Sequence, residues 1–553
     1  MNESSIELQG RHFLVVYEKA SGKLKIKSVG LDREDNELFT LMSAESNHKS
    51  NSMKGASLND IALRCKGIVI DKSQGHICIY NDPFCTIPVY FFESNDRVLV
   101  SSSPEQLITY ADTQLDAVGF WETILFGTGI WTRTPFQGLF QLPSACKLFL
   151  GQTVDISRYW GFEDGSVGDD SIDEREWVAG LDAKLREKFE IYRDKQVLMG
   201  MSGGMDSRIA ALYLADVCAP ENIHLFTYAA SSASYEFCHG KQVSSVLGLS
   251  QPELFLLKDL HYKEALEYLP MMSAGQIGNV HGHIAEYLKH HKQSLDRNTI
   301  HFSTYYSDAI FGWECDGVAG NMGVEESYLY QKALTHPWVP EDIRKQMLDD
   351  IRCSLVDAQN ASGFSTVDEF RYVSERNAKF HMPLAFIQSQ FMQTVTPFAD
   401  FDLLNYILSA PLALRKRKRV IDELIKFNNT ELASVENCSS REYFYGNHNL
   451  MPKRGLSGKL AFIRFRALNA LSACASFVTQ GRFVFENPFQ AEELGALYNR
   501  SYVTLFNESV HVKSISELLE KSNIDLSEFC EKRVIETHLA EKFQLINLAR
   551  MIS

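Results

Sequence analysis

The chain has 553 residues, a formal net charge of −15, and is 45% hydrophobic and 23% charged. That length is several times what one hydrophobic core organises, so two or more domains of a globular protein are expected. The acidity excludes the broad basic face that a nucleic-acid or anionic-membrane partner would need, and no apolar stretch reaches the roughly 18–20 residues of a bilayer span, so no membrane insertion is expected. The eleven cysteines form no C-x-x-C pair and no cluster of zinc spacing. Met1-Asn2-Glu3-Ser4-Ser5 lacks the basic and apolar regions of a secretory signal, and a cytoplasmic protein with reduced thiols is expected.

In chain order, residues 1–162 are rich in short β-branched runs. Phe13-Leu14-Val15-Val16-Tyr17, Gly67-Ile68-Val69-Ile70-Asp71, His76-Ile77-Cys78-Ile79-Tyr80 and Val98-Leu99-Val100-Ser101 are separated by Gly, Asn, Asp and Ser turns. They predict a β-rich layered domain. Residues 163–172 are small, acidic and aperiodic, the composition of a linker. The second domain, 173–553, opens with a helix whose apolar stripe is Trp177, Val178, Leu181, Leu185 and Phe189. Val197 to Met201 reads as a buried strand, Ile209 to Val217 as a helix, Leu225 to Tyr228 as a strand and Glu236 to Leu247 as a helix. This alternation predicts a parallel sheet covered by helices. From about residue 320 onward the pattern is mostly helical: Leu403, Leu404 and Ile407 form an amphipathic segment stopping near Pro411, and Leu539, Phe543, Ile546 and Leu548 keep a helical period. The run Arg415-Lys416-Arg417-Lys418-Arg419 is expected to be a solvated helical surface, the alternative being contact with an anionic substrate or a partner.

The chemistry concentrates in Ser202-Gly203-Gly204-Met205-Asp206-Ser207, between the buried strand and its helix. Two glycines permit a sharp turn and close approach of a ligand. Exposed amides, a helix N-terminus and the Ser202 and Ser207 hydroxyls make a nest for phosphate oxygens. Asp206 would repel phosphate unless a cation lay between, which points to Mg²⁺. No G-x-x-x-x-G-K-[ST] loop occurs in the chain.

With that loop the sequence resembles the asparagine synthetase family, whose pyrophosphatase loop is S-G-G-x-D-S. The family's S-G-x-G-A-D-E-x-F-G-G loop is similar to Ser303-Thr304-Tyr305-Tyr306-Ser307-Asp308-Ala309-Ile310-Phe311-Gly312-Trp313. Its V-E-x-R-x-P-F-x-D segment resembles Met392 to Asp400, and its late R-x-K-x-G-F-S stretch resembles Met451 to Ser457. Asn81 to Tyr90 is similar to R-D-P-x-G-x-R-P-L-Y of the family's class II glutaminase domain, and Gly138 to Pro143 and Arg158-Tyr159-Trp160 resemble its end. The resemblance implies an N-terminal glutaminase-like domain and a C-terminal ATP-pyrophosphatase domain. It implies an enzyme using ATP and Mg²⁺ that adenylates a carboxylate, releases pyrophosphate and forms an amide. By the same resemblance, Ser202, Gly203, Gly204, Asp206 and Ser207 bind nucleotide, Asp206 and Asp308 ligate Mg²⁺, and Lys453 stabilises charge on the adenylate and the tetrahedral intermediate.

The chain departs from the family at telling positions. Residue 2 is Asn2 instead of a nucleophilic cysteine, and the first cysteine is Cys65, so an inactive glutaminase and a reaction without glutamine are expected. Relatives without that cysteine include β-lactam synthetases and lasso-peptide cyclases. In β-lactam synthetases a tyrosine and a glutamate assist amine deprotonation; Tyr305 fits the first position, but Gln393 stands at the second and cannot serve as a base. Thr304 and Tyr306 replace the loop's glycines, and Ala309 replaces a glutamate. Gln276, Asn279, His281 and His283 are polar candidates for substrate contact. The expected partner is a small-molecule or peptide carboxylate, with another enzyme of a biosynthetic cluster nearby. Intramolecular cyclisation, intermolecular amidation of a sugar acid or natural-product acid, and a non-catalytic nucleotide-binding role all stay open.

Overall fold

The computed structural model describes most of residues 13–435, with breaks at 29–37, 43–56, 73–76, 112–113, 161–171, 230–231, 233, 258, 279–281, 293–297, 313–322, 337–338, 357–363 and 365, and isolated positions beyond 435. The chain is a mixed α/β protein: two N-terminal antiparallel sheets, a five-stranded parallel sheet among helices, and a helical later region. The expected linker apart from Ile172, Lys453, and the terminal apolar stretch apart from Leu548 lie outside the described residues.

Ten strands build the first part: β1 (Phe13–Glu18), β2 (Lys23–Ser28), β3 (Leu38–Met42), β4 (Gly67–Asp71), β5 (Ile77–Asn81), β6 (Tyr90–Glu93), β7 (Arg97–Ser101), β8 (Leu139–Gln141), β9 (Cys146–Leu150) and β10 (Val154–Arg158). They form sheets of order β2-β1-β7-β6-β8 and β10-β9-β5-β4-β3. Period-two alternation decides which face each residue takes. Phe13, Val15 and Tyr17 of β1 and Val98 and Val100 of β7 meet Ile68 and Ile70 of β4 and Ile79 of β5 in one core between the sheets. The intervening residues Leu14, Val16 and Leu99 face outward onto Leu107, from the helix Pro104–Ala111. Val69 and Tyr80 face outward on the other sheet, under the helix Leu58–Arg64. The result is four layers, helix, sheet, sheet and helix, as the β-rich layered expectation required.

The second sheet system has order β13-β12-β11-β14-β15, with β11 (Val197–Gly200), β12 (Ile223–Ala229), β13 (Glu253–Leu256), β14 (Ile300–Phe302) and β15 (Thr394–Val395). Every neighbouring pair is parallel. β11 is buried on both faces: Val197 and Met199 join the large core, while Leu198 packs with Phe226, Tyr287 and Leu288 on the opposite side. The helix Glu174–Phe189 begins at Asp173, whose carboxylate accepts the Glu176 N–H at 2.9 Å, and it buries the stripe Trp177, Val178, Leu181, Leu185 and Phe189. The sequence reading missed β13 and β14, because runs of three or four residues carry too little periodicity.

The two halves share a core. Phe84, Phe120 and Trp121 from the first belong to the same apolar cluster as Leu181, Tyr306 and Phe370 from the second. Gly129 is the polar hinge of the junction: its N–H donates to Gln276 Oε1 at 2.9 Å, and its carbonyl accepts Lys379 Nζ at 2.9 Å. Gln276 also donates to Gln141 Oε1 at 3.1 Å, and Arg133 pairs with Asp350 at 2.5 Å. Gln276, a candidate substrate contact by sequence, is therefore buried as a tie between the halves. Among the described residues, no helix is long and apolar enough to cross a membrane.

A Cβ added at Gly129 would stand 2.1 Å from the Arg133 carbonyl oxygen, a backbone atom that cannot swing aside. Gly129→Ala is therefore expected to destabilise the protein by about 3 kcal/mol in urea unfolding. Gly323→Ala, whose Cβ would meet nothing within 4 Å, is expected to change stability by less than about 1 kcal/mol.

Candidate functional site

β11 is the strand from which the sheet grows both ways: β12 and β13 follow on one side, β14 and β15 on the other. The crevice outside the carboxyl ends of β11 and β14 is the topological switch point, where ligand sites form in open parallel sheets. A cavity of about 500 Å³ opens there, and Ser202, Asp206, Thr227, His283, Ser303 and Tyr305 are among its lining residues.

The 202–207 segment leads from β11 into the helix Met205–Val217, longer at its start than the expected Ile209–Val217. The Ser202 and Ser207 hydroxyls lie 2.9 Å apart, the Ser202 N–H donates to Ser207 Oγ at 3.2 Å, and the Gly204 N–H donates to Ser202 Oγ at 3.1 Å. Neither glycine adopts a left-handed conformation. What glycine supplies at 204 is room, since a Cβ there would sit 3.2 Å from Ser202 Oγ. The Gly203 N–H donates to Glu236 Oε2 at 3.1 Å, so one amide of the loop already holds a carboxylate oxygen.

Asp206 is the centre of the polar network. Lys418 Nζ approaches its two oxygens at 2.8 and 2.7 Å, and the Ser307 hydroxyl donates to Oδ1 at 2.7 Å. Lys418 is buried and takes a left-handed backbone, φ 61°, at the start of the helix Arg419–Asn428. This overturns the expectation of a solvated basic run. Arg415 is wholly buried with a carboxylate of Glu369 at 3.4 Å, Lys418 points inward, and Arg419 pairs with Glu174 at 2.7 Å; Lys416 is exposed. The local reason is the 3₁₀ turn Lys416–Lys418, whose three-residue period puts Arg415 and Lys418 on the buried side and leaves Lys416 outside.

Asp308 stands apart from Asp206's network. Its Oδ2 accepts the Tyr372 hydroxyl at 2.8 Å and its Oδ1 accepts the Ala309 N–H at 2.8 Å, and it is not among the cavity-lining residues. Tyr372 opens the π-helical stretch Tyr372–His381, a local irregularity of the kind that often positions functional side chains. At the other end of that stretch the His381 ring stacks parallel to Tyr305, centroids 5.2 Å apart. The Tyr305 hydroxyl accepts from Gln388 Nε2 at 2.9 Å, and burial pushes the phenol up to about 12. The amide beside Tyr305 is thus Gln388; Gln393 is exposed, and its carbonyl accepts the His301 N–H at 2.8 Å.

Tyr306 keeps a glycine-like backbone, φ 78°, although its side chain is fully buried. Its ring meets Phe84 edge-on at 4.9 Å, and its hydroxyl donates to the Val373 carbonyl. Cys85 is the matching case in the first half. It stands where the resembled motif has glycine, with φ 54°, and burial raises its thiol well above the usual range, so it is no reactive nucleophile. Asp82 of that motif accepts the Phe84 and Thr86 N–H groups at 2.8 and 3.0 Å and is pushed up to about 6 by burial. His283 lines the cavity with its ring 4.2 Å from that of Tyr228. Asn2, Asn279, His281 and Lys453 lie outside the described residues.

Sequence reasoning missed Lys418, Ser307, Glu236 and Gln388, which reach the site from other segments of the fold. Only Lys418 left a sequence signal, a charge inside a run, and nothing local distinguished it from its neighbours. No protein-family model matches the chain, and no curated protein matches it.

His301, a cavity-lining residue of β14, is buried, and burial pushes its imidazolium down to about 3. The folded protein therefore declines a proton that the unfolded chain binds near the ordinary histidine value of about 6.5. The associated stability is present above that value and is lost as pH falls toward 3. The His301→Gln variant is expected to lose about 2 kcal/mol less than the parent between pH 8 and pH 5 in paired urea titrations.

Proposed function

We propose that the protein is an ATP-dependent ligase that adenylates a carboxylate, releases pyrophosphate and forms an amide without glutamine. The observation that carries the reading is the placement of Ser202-Gly203-Gly204-Met205-Asp206-Ser207. A loop of this composition ends the central strand at the switch point and opens on a cavity of about 500 Å³, with one amide already on a carboxylate oxygen. A phosphate oxygen would replace Glu236 at Gly203, and the Ser202 and Ser207 hydroxyls would add donors.

Asp206 fits a Mg²⁺ ligand: it is a half-buried carboxylate at the cavity wall, with Lys418 beside it as a second positive charge for a triphosphate. Mg²⁺ when bound would neutralise triphosphate charge and ease departure of pyrophosphate. Asp308 supports this role less directly, because Tyr372 occupies its outer oxygen. In the proposed first step a carboxylate oxygen attacks the α-phosphorus and the bond to pyrophosphate breaks. In the second an amine nitrogen attacks the acyl carbon, AMP leaves and the amine proton is lost. This chain's part in both is placement and charge stabilisation. Tyr305, held neutral by burial and hydrogen-bonded to Gln388, is suited to orient an amine or its carbonyl partner as a hydrogen-bonding group. The four-layer N-terminal part is compatible with a glutaminase-like domain, and the exclusion of glutamine rests on Asn2 in the sequence. Ring closure within one molecule and amidation of an external sugar acid or natural-product acid remain two forms of one reaction, in a cytoplasmic setting and beside other enzymes of a biosynthetic cluster.

The test is acid-dependent exchange of labelled pyrophosphate into ATP, over a panel of acids and short peptides. Exchange with one class of acid is expected for the parent; none across the panel would favour a non-catalytic nucleotide-binding role. Once an acid is found, Asp206→Asn should abolish exchange and Lys418→Met should reduce it by about 10²–10³-fold. Lys416→Met, two residues away on the exposed side, should leave it unchanged. Lys453→Ala should depress amide product far more than ATP binding.

A further inference from the structure

A separate cluster lies on the helices Asp259–Leu266 and His283–His291, in residues to which the proposed ligase chemistry assigns no part. Glu286 and His290 are four residues apart and so share one helix face; Glu264 faces them from the other helix. His290 Nε2 is 3.0 Å from Glu264 Oε2 and 3.6 Å from Glu286 Oε2, and ligand atoms of the three residues all lie within 4.8 Å of one another. Tetrahedral coordination at zinc bond lengths separates neighbouring ligand atoms by about 3.4 Å. The three side chains therefore need little movement to close on one ion.

Glu286 supplies the second, independent observation. It is 0% exposed, and although the Glu264 carboxyl and the Tyr268 hydroxyl, also buried, face it, neither of its oxygens has a partner at full hydrogen-bond geometry. Lys289 Nζ comes no closer to Glu286 than 3.6 Å, and its side chain is 42% exposed. A buried carboxylate in this condition is costly, and native proteins seldom leave one so unless an ion or water belongs there.

We propose that Glu264, Glu286 and His290 bind a first-row transition-metal dication of the zinc class. Two carboxylates and one imidazole match that class, and three protein ligands leave a fourth position for water. The ion would pin the helices Asp259–Leu266 and His283–His291 together, and the second of these carries His283 into the cavity wall. The site is independent of the ligase reading, since it uses none of the residues assigned to ATP.

The full chain, stripped with chelator and desalted, is titrated with Zn²⁺ by calorimetry and its retained metal is counted after dialysis. One equivalent is expected, with a rise in the thermal unfolding midpoint. Mg²⁺ should neither compete nor produce the rise. Substituted Co²⁺ should give the strong visible absorption of a four-coordinate ion. Glu286→Gln is expected to weaken Zn²⁺ binding by more than about tenfold and to abolish the cobalt spectrum. His290→Ala, at a largely exposed position whose change threatens folding least, should do the same. His224→Ala, at an exposed histidine elsewhere, should change neither. Equal zinc retention by the parent and both cluster variants would overturn the proposal, as would a parent that binds no zinc.

Discussion

The Asp206 carboxylate is the point on which the organisation of the cavity depends. Three segments distant in sequence meet on it: its own loop after β11, Ser307 after β14, and Lys418 at the turn before the helix Arg419–Asn428. The Lys418 contact requires an inward-facing lysine with a left-handed backbone, a conformation that disfavours residues with a Cβ. The ion pair compensates that strain. It also closes the carboxylate off from the acidic repulsion that an anionic ligand would otherwise meet. On the proposed reading, a cation would compete with Lys418 for Asp206 and leave the ammonium free to turn toward phosphate.

A second constraint runs through Tyr306 and Cys85. Each stands where the resembled motif carries glycine, and each keeps the left-handed backbone that glycine would adopt freely. A bulky residue held this way costs on the order of 1–3 kcal/mol, and surrounding contacts must impose it. For Tyr306 those contacts are visible: Phe84 from the first half against its ring and the Val373 carbonyl on its hydroxyl. The Tyr306 side chain is a bolt between the halves, and a glycine-like backbone is held here without a glycine.

Much of the fold was legible from residue pattern alone. The β1, β4 and β7 runs and the strand before Ser202, read from β-branched and apolar runs, and the stripe from Trp177 to Phe189, read from its helical period, occur where expected. The short strands β13 and β14 were not, because their identity depends on β11 and β12 already being in place to pair with them. The site divides along the same line. Its contiguous part, Ser202 to Ser207, could be read directly, since glycine, serine and aspartate there have local reasons. Lys418, Ser307 and Glu236 acquire meaning only through contacts spanning more than thirty residues. Tyr305 illustrates both sides: its place was legible, but its partner Gln388 was not, because a hydrogen bond across the fold leaves no spacing rule.

The junction makes the N-terminal half part of the architecture around the parallel sheet. Its side chains do not form a core that merely touches the second half; Phe84, Phe120 and Trp121 belong to the core that surrounds the parallel sheet. Gly129 offers both its amide and its carbonyl to the second half, one to Gln276 and the other to Lys379 within the π-helical stretch. That stretch presents Tyr372 to Asp308 and His381 to Tyr305. Removing the first half would leave Lys379 buried without its carbonyl and Tyr306 strained without Phe84. Tyr306 is next in the chain to the cavity-lining Tyr305, so the cost would reach the cavity. On these contacts the first half has a structural function for the second.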